Sequence, residues 1–249
     1  MIEIRSLRKR LAGKQVLDGV DLVVREGESV VVMGPSGTGK SVLLKHIVGL
    51  FDPDEGDVLV DGMSVSQADG RTIKQIRSCI SYVFQNSALF DSLTVEGNIL
   101  LGLPEDHCKR PGVDCRQLVR EALEHVNLGP EVLGLLPAEL SGGMQKRVAL
   151  ARAVVGRQRY ILYDEPTTGL DPLNAANINE LIARLKHEIG STSVIVTHDV
   201  DSAFFLADRI AVLSDGIVQA IGTPEELRTS PDPRIQRFLD PTAAYAGAV

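Results

Sequence analysis

Short runs of apolar, largely β-branched residues alternate along the chain with stretches whose apolar positions recur every three or four residues. The first kind predicts buried strands and the second amphipathic helices. Ser29–Met33 (SVVVM), Tyr160–Tyr163 (YILY) and Ser193–Thr197 (SVIVT) read as strands buried on both faces. Asp61-Gly62 lies between DVLV and MSV, and Asp215-Gly216 between IAVLS and IVQAIG. Both are two-residue hairpin signals, because Asp-Gly accepts positive φ at both turn positions. The alternation predicts an α/β fold with a mainly parallel sheet and antiparallel hairpins added at its edge.

From Thr94 to Val155 the pattern turns helical, as in Leu118, Ala122 and Val126 at four-residue spacing. This predicts a helical insertion over residues 87–157 in a core made of residues 1–86 and 158–240. Pro104–Gly112 (PEDHCKRPG) is polar and rich in breakers, hence a surface loop. Residues 241–249 are small and apolar and are expected to form a flexible tail.

Composition excludes several classes. Of 249 residues, 44% are hydrophobic and 24% charged, as in soluble globular proteins. The net charge is −7 and no long basic run occurs, which argues against a nucleic-acid surface. No apolar run approaches the roughly 20 residues that span a bilayer, so a membrane role must come through a partner. An odd cysteine count (Cys79, Cys108, Cys115) without a leader-like N-terminus points to a reducing compartment. His107, Cys108 and Cys115 match no zinc spacing and are expected in a surface loop. His46 is expected on a solvated helix face, and Met63 and Met144 in packing.

Gly34-Pro35-Ser36-Gly37-Thr38-Gly39-Lys40-Ser41 satisfies G-x-x-x-x-G-K-[ST], after an expected strand and before a helical run, Val42–Leu50. Glycines let backbone N–H groups turn onto phosphates, and the helix N-terminus adds partial positive charge. Lys40 is expected to reach the β- and γ-phosphates of ATP, and the Ser41 hydroxyl to bind Mg²⁺. The strand Tyr160–Tyr163 runs into Asp164-Glu165-Pro166, delivering carboxylates to the end of the sheet where ligands bind in such folds. Asp164 fits the Mg²⁺ position and Glu165 the base that orients the attacking water. Leu140-Ser141-Gly142-Gly143-Met144-Gln145 opens a second small-residue helix start, with a hydroxyl and exposed N–H groups. Two phosphate-binding helix starts in one chain make sense if Ser141, Gly142 and Gly143 close over the nucleotide of another subunit.

Here the sequence resembles a known family. LSGGMQKRVALARA resembles the signature segment of ABC ATPases, and GPSGTGKS and YILYDEP resemble their Walker A and Walker B segments. Phe84-Gln85 resembles the Q-loop, Thr168-Gly169-Leu170-Asp171 the D-loop, and Thr197-His198-Asp199 the switch histidine, all in the family's order over residues 1–240. The resemblance implies a P-loop, RecA-like core with an antiparallel β subdomain and an inserted helical subdomain. It implies a homodimer with two ATP molecules between Walker A of one chain and the signature of the other, with Asp171 beside the shared nucleotide. It gives His198 a γ-phosphate contact, and it places Gln85 near Mg²⁺ and the water. It also implies an integral membrane permease as partner, on the cytoplasmic face of a bacterial inner membrane.

Segments Ser87–Val95, LSGGMQKR and Gly222–Leu227, with Pro231-Asp232-Pro233-Arg234 and Arg237-Phe238-Leu239, are similar to the MlaF-type ATPases of MCE-associated lipid transport. An MCE protein and a small STAS-domain protein are partners this implies. ATPases of importers for small polar solutes share the core motifs, and non-transport ABC ATPases on ribosomes or DNA are disfavoured by the single cassette and negative charge. Leu89, Phe90, Leu93 and Val95, following Gln85, read either as core or as a partner-binding groove. Two positions depart from the family. Leu11 stands where an aromatic ring commonly covers adenine, with Arg8 or Arg10 available to help, unless Tyr245 supplies the ring. Gly97 stands where an acid is usual.

Overall fold

The computed structural model describes residues 1–104 and 106–239. The expected tail 241–249, with Tyr245, lies outside the described residues. In chain order the elements are β1 (Ile2–Leu11), β2 (Lys14–Val24), β3 (Ser29–Met33), α1 (Lys40–Ile47), β4 (Glu55–Val60), β5 (Met63–Ser64), α2 (Gly70–Ser78), β6 (Ile80–Val83), α3 (Val95–Leu100), α4 (Cys115–His125), α5 (Gly142–Val154), β7 (Tyr160–Asp164), α6 (Pro172–Ile189), β8 (Thr192–Thr197), α7 (Val200–Leu206), β9 (Arg209–Ser214), β10 (Ile217–Gly222), α8 (Pro224–Arg228) and α9 (Pro233–Leu239). The described residues form two compact units, one from 1–76 and 194–239 and the other from within 77–193.

In the first unit, β3 pairs in parallel with β9, and β9 turns back into antiparallel β10. The turn is Asp215-Gly216, with φ of 52° and 79°. Such values suit a short, right-twisted hairpin and come at little cost to Asp and Gly. The other expected hairpin, at Asp61-Gly62, also forms, but not at the edge of the parallel sheet. Its strands β4 and β5 belong to a separate four-stranded antiparallel sheet ordered β2-β1-β4-β5. Strand β1 explains this: Ile2 and Ile4 alternate inward, and the strand pairs on both edges, Ile2 opposite Val24 and Val60.

His46, expected on a solvated face, is instead 1% exposed within α1. Its Nδ1 donates to the Val42 carbonyl at 2.8 Å, and its ring meets Phe51 edge-on at 5.9 Å. Among the described residues its Nε2 has no hydrogen-bond partner. The helix face carrying Leu43, Leu44 and Ile47 is buried, and His46 belongs to its margin, which helical spacing alone leaves undecided.

The second unit begins before and ends after the helical segment 87–157, because β6, β7 and α6 cluster with the helices. Strands β6 and β7 are parallel, with Tyr82 opposite Leu162 and Val83 opposite Tyr163. Helix α4 starts at the N-cap Asp114, whose carboxylate accepts from Arg116 and Gln117 N–H, and buries Val119, Ala122 and Leu123. Helix α6 is capped at its start by Asp171 and ends at Gly190 in the left-handed region, φ 70°. Cys108 and Cys115 form a disulfide with Cα atoms 5.7 Å apart, bracing the polar loop against the first residue of α4. An odd cysteine count points to a reducing compartment, yet two of the three cysteines are paired, at a sequence separation of seven.

Burial holds the His46 imidazole below its ordinary value of 6.5, so the folded protein keeps it neutral. The unfolded chain then binds the extra proton first, and stability falls as pH drops through 6.5 towards the lower folded value. Urea denaturation of the wild type and His46→Gln between pH 8 and pH 5 is expected to show this slope in the wild type and a shallower one in the variant (about 1.4 kcal/mol per unit of pKa difference). Parallel slopes would exclude His46 as the source.

Candidate nucleotide site

The first unit supplies the phosphate loop. Strand β3 is buried at every position and ends at Met33, and α1 begins at Lys40, so residues 34–39 must turn within a short span. A Cβ on Gly34 would lie 2.2 Å from the Leu213 carbonyl oxygen. Gly37 and Gly39 have φ of 79° and 100°, and a Cβ on Gly39 would press on Val16 and Leu17. The loop therefore has its open form because three positions carry no side chain. Thr38 Oγ1 donates to the Pro35 carbonyl at 2.9 Å. Lys40 Nζ donates to the carbonyls of Gly34 at 2.8 Å and Pro35 at 3.0 Å, curling over the loop that it is expected to share with phosphates. Ser41 follows in the first turn of α1.

Leu11 is half-buried at the end of β1, before the turn Ala12-Gly13. The neighbouring guanidiniums are engaged elsewhere: Arg8 Nη1 with Glu55 at 2.9 Å and Arg10 Nε with Gln15 at 2.9 Å. His198 is exposed at the end of β8, and the next residue, Asp199, caps α7 by accepting from Ser202 N–H at 3.2 Å.

The second unit supplies the carboxylates. Asp164, the last residue of β7, is 6% exposed, and its Oδ2 accepts from the Tyr82 hydroxyl at 2.9 Å. Burial, with the Asp164 charge and hydrogen bond adding to it, pushes the Tyr82 phenol above the ordinary tyrosine range, so it stays a donor at neutral pH. Glu165 is 7% exposed and adopts φ 49°, a left-handed conformation that costs a non-glycine residue about 1–3 kcal/mol and clusters at functional sites. Its Oε2 accepts from Thr168 Oγ1 at 3.2 Å. Gln85 is exposed just beyond β6, and its backbone carbonyl accepts from Lys146 Nζ. Burial lowers the Lys146 ammonium from the usual lysine range, and the Glu165 charge opposes that shift.

Ser141 is the N-cap of α5, accepting from Met144 N–H at 3.3 Å, and Gly142 and Gly143 form the first turn. The same helix carries Lys146, so the serine-glycine start and the Gln85 backbone are joined through one rigid element. Asp171 accepts from Asn174 N–H at 3.0 Å and from its side-chain amide at 2.6 Å, which lowers its carboxyl from the usual range. It thus has a structural duty as a helix cap, whatever else it meets.

These motif positions can be compared with known proteins. The family model "ABC transporter" matches residues 17–168. The phospholipid-transport ATP-binding protein MlaF of Haemophilus influenzae is 37% identical over 239 residues, 96% of this chain and 90% of that protein. The probable ribonucleotide transport ATP-binding protein mkl of Mycobacterium leprae is 38% identical, over 96% of this chain and 68% of that one. Among solved structures, the dimeric cassette MJ0796 in a post-hydrolysis state bound to ADP and Pi superposes with a TM-score of 0.79 at 35% identity, over 90% of this chain and 99% of that one. The chain belongs to the ABC transporter family.

It is an ATP-hydrolysing cassette of that family, an ABC ATPase with the family's P-loop α/β fold. Of the groups expected at Mg²⁺, the Ser41 hydroxyl belongs to the first unit and the Asp164 carboxylate and Gln85 amide to the second, and each would offer oxygen. Hard oxygen ligands in small number suit Mg²⁺, which is commonly held by one or two carboxylates together with substrate phosphates. Among the described residues, no cluster of three or more His, Cys, Asp or Glu side chains could hold a metal alone. Sequence motifs pointed at Asp164, Glu165 and Gln85 but missed Tyr82 and Lys146, the side chains that touch them. Tyr82 reads as an ordinary strand residue, and Lys146 as a polar position on an exposed helix. Only the pairing of β6 with β7 and the burial of Lys146 reveal their contacts.

Gly34→Ala is expected to weaken binding of a fluorescent ATP analogue by at least about tenfold, equivalent to about 1.4 kcal/mol. Its Cβ cannot be placed without displacing the loop from Leu213. Gly62→Ala in the β4–β5 turn, where φ is 78° but a Cβ would meet nothing within 4 Å, is the control for a backbone change without a clash and is expected to leave that affinity unchanged. Equal affinities for Gly34→Ala and wild type would show that the loop tolerates displacement.

Proposed function

We propose that this ABC ATPase is the hydrolysing subunit of a bacterial transporter of phospholipids or other hydrophobic molecules. It would act as a homodimer, peripheral to the cytoplasmic face of the inner membrane, beneath a separate integral permease. The observation that carries the substrate class is the co-extensive likeness to the phospholipid-transport proteins, 37% identity over 90% of the Haemophilus influenzae protein's length. In this reading an MCE protein and a small STAS-domain protein complete the assembly. No helix among the described residues is long and apolar enough to cross a membrane, so the membrane passage falls to the permease. A second reading, an importer ATPase for small polar solutes, is favoured by the spermidine/putrescine import protein PotA of Marinobacter nauticus, 38% identical over this whole chain and 65% of that one. Once reconstituted with its permease, the ATPase should be stimulated by phospholipid on the first reading and by a polyamine on the second.

In the proposed reaction Gly34, Pro35, Ser36, Gly37, Thr38 and Gly39 cradle the phosphates through backbone N–H groups, with Lys40 on the β- and γ-phosphates. Ser41, Asp164 and Gln85 would hold Mg²⁺, which when bound neutralises phosphate charge. Glu165 orients and polarises the attacking water, and His198 contacts the γ-phosphate. Leu11 offers adenine apolar contact only. Ser141, Gly142 and Gly143 of the partner chain close over the same nucleotide, with Asp171 at the seam. Leu173, beside Asp171 and 73% exposed, supports a dimer contact there.

Glu165→Gln should bind ATP but turn it over at least about a hundredfold more slowly, within the range that general-base loss commonly costs. Size exclusion with Mg-ATP should then show a stable dimer. Near wild-type turnover would remove Glu165 from this role.

The permease should dock beside Gln85. Phe90 is 58% exposed, and Leu89 and Leu93 are half-buried, whereas Val95 is fully buried and belongs to the core. In the same unit, a groove of about 450 Å³ is lined by Tyr82, Phe84, Leu101, Leu103 and Pro104 among others. Phe90→Asp should leave the melting temperature and ATP affinity intact, because the ring is already in water, yet abolish copurification with the permease. A folded Phe90→Asp chain that still copurifies would move the docking site elsewhere.

A further inference from the structure

Strands β6 and β7 are in parallel register with Tyr82 opposite Leu162. Both side chains therefore leave the same face of the pair, and Asp164, two residues beyond Leu162, leaves that face too. The phenol spans the diagonal and its hydroxyl reaches Asp164 Oδ2 at 2.9 Å. The ring is itself fixed, stacked in a tilted geometry on Phe84 with centroids 4.3 Å apart. A carboxylate turns easily about its last torsion, where the wells are broad. One donor on Oδ2 restricts that rotation and so sets the direction of Oδ1 as well.

We propose that Tyr82 is a positioning residue for the reaction, aiming the Asp164 carboxylate at the metal of the bound nucleotide. The proposal rests on the assignment of Asp164 to Mg²⁺ made above. Groups that hydrogen-bond a metal's ligands orient them before the metal arrives, so their loss is felt as metal affinity more than as folding. The competing explanation is that Asp164 merely satisfies the hydroxyl of a half-buried tyrosine. That role would cost some stability when lost and would leave metal binding alone.

The test uses Mn²⁺ as the probe, with the full chain saturated by a non-hydrolysable ATP analogue and free Mn²⁺ followed by electron paramagnetic resonance. Tyr82→Phe keeps the ring on Phe84 and removes only the hydroxyl. It is expected to raise the Mn²⁺ dissociation constant about tenfold, as losses of such supporting contacts do. Affinity for the analogue measured in EDTA should be unchanged. Asp164→Asn, run alongside, should weaken Mn²⁺ more than Tyr82→Phe does. If Asp164→Asn weakens Mn²⁺ and Tyr82→Phe does not, the positioning role is overturned and the metal assignment stands. If Asp164→Asn leaves Mn²⁺ affinity unchanged, the metal assignment fails and this proposal falls with it. A Tyr82→Phe chain that loses analogue affinity in EDTA as well has lost more than an aimed carboxylate, which also overturns the proposal.

Discussion

The phosphate loop depends on backbone packed too tightly for side chains. At Gly34 the neighbouring carbonyl of Leu213 occupies the space a Cβ would need, and at Gly39 the side chains of Val16 and Leu17 do. The loop can present N–H groups only because β3 and α1 are pinned on either side. Strand β3 has every residue buried, and α1 sinks Leu43, Leu44 and Ile47. Burying such side chains stabilises by about 1.5–3 kcal/mol each, which offsets the conformational cost of a glycine-rich turn. The rigid core thus holds a loop that its own sequence would leave loose. Lys40 rests on the loop's carbonyls, so its charge is kept near the place where phosphate charge is expected.

In the second unit the same problem is solved with hydrogen bonds. Nearly buried carboxylates and a nearly buried ammonium are costly unless something meets them. Asp164 is met by the Tyr82 phenol, Glu165 by Thr168, and Lys146 by the Gln85 carbonyl. Of these partners, Tyr82 lies outside the motif segments, whereas Thr168 opens the D-loop and Lys146 belongs to the signature helix. The strained backbone at Glu165 sits among them, held by the burial of β7 and the turn that follows. Helix α5 carries both the Ser141 start and Lys146, so one helix joins the serine-glycine start to the Gln85 backbone.

These arrangements fit a motor that must be complete at its nucleotide and adaptable at its cargo. Among the groups proposed for phosphate chemistry, Lys40, Asp164 and Glu165 are buried and hydrogen-bonded, whereas Gln85 and His198 are exposed. Apolar side chains left in water occur in both units; in the second, Phe90 follows Gln85, and Phe84 and Leu101 line the groove beside β6. The same cassette pattern occurs in phospholipid and polyamine transport proteins. The disulfide between Cys108 and Cys115 braces the loop that follows the groove's Leu103 and Pro104.

Local order was legible because it is encoded locally. Apolar runs point to strands at 29–33, 160–163 and 193–197, and strands form at 29–33, 160–164 and 192–197. Asp-Gly pairs gave the two hairpins, and the spacing of glycine, lysine and serine gave the phosphate loop. These signals depend on backbone conformation and short-range periodicity, which neighbouring residues determine. Partners distant in sequence were not legible. The 61–62 hairpin joined β1 and β2 in a sheet of its own, because strand pairing is chosen by long-range burial. His46 went inside, since helical spacing names a face but not its width. Phe90 and Val95 parted, one to water and one to the core. Tyr82 met Asp164 across 82 positions of sequence, a contact created only when two parallel strands settle into register. Which groups could act on phosphate was written in residue order; which side chains hold those groups in place was decided by the packing of strands and helices far apart along the chain.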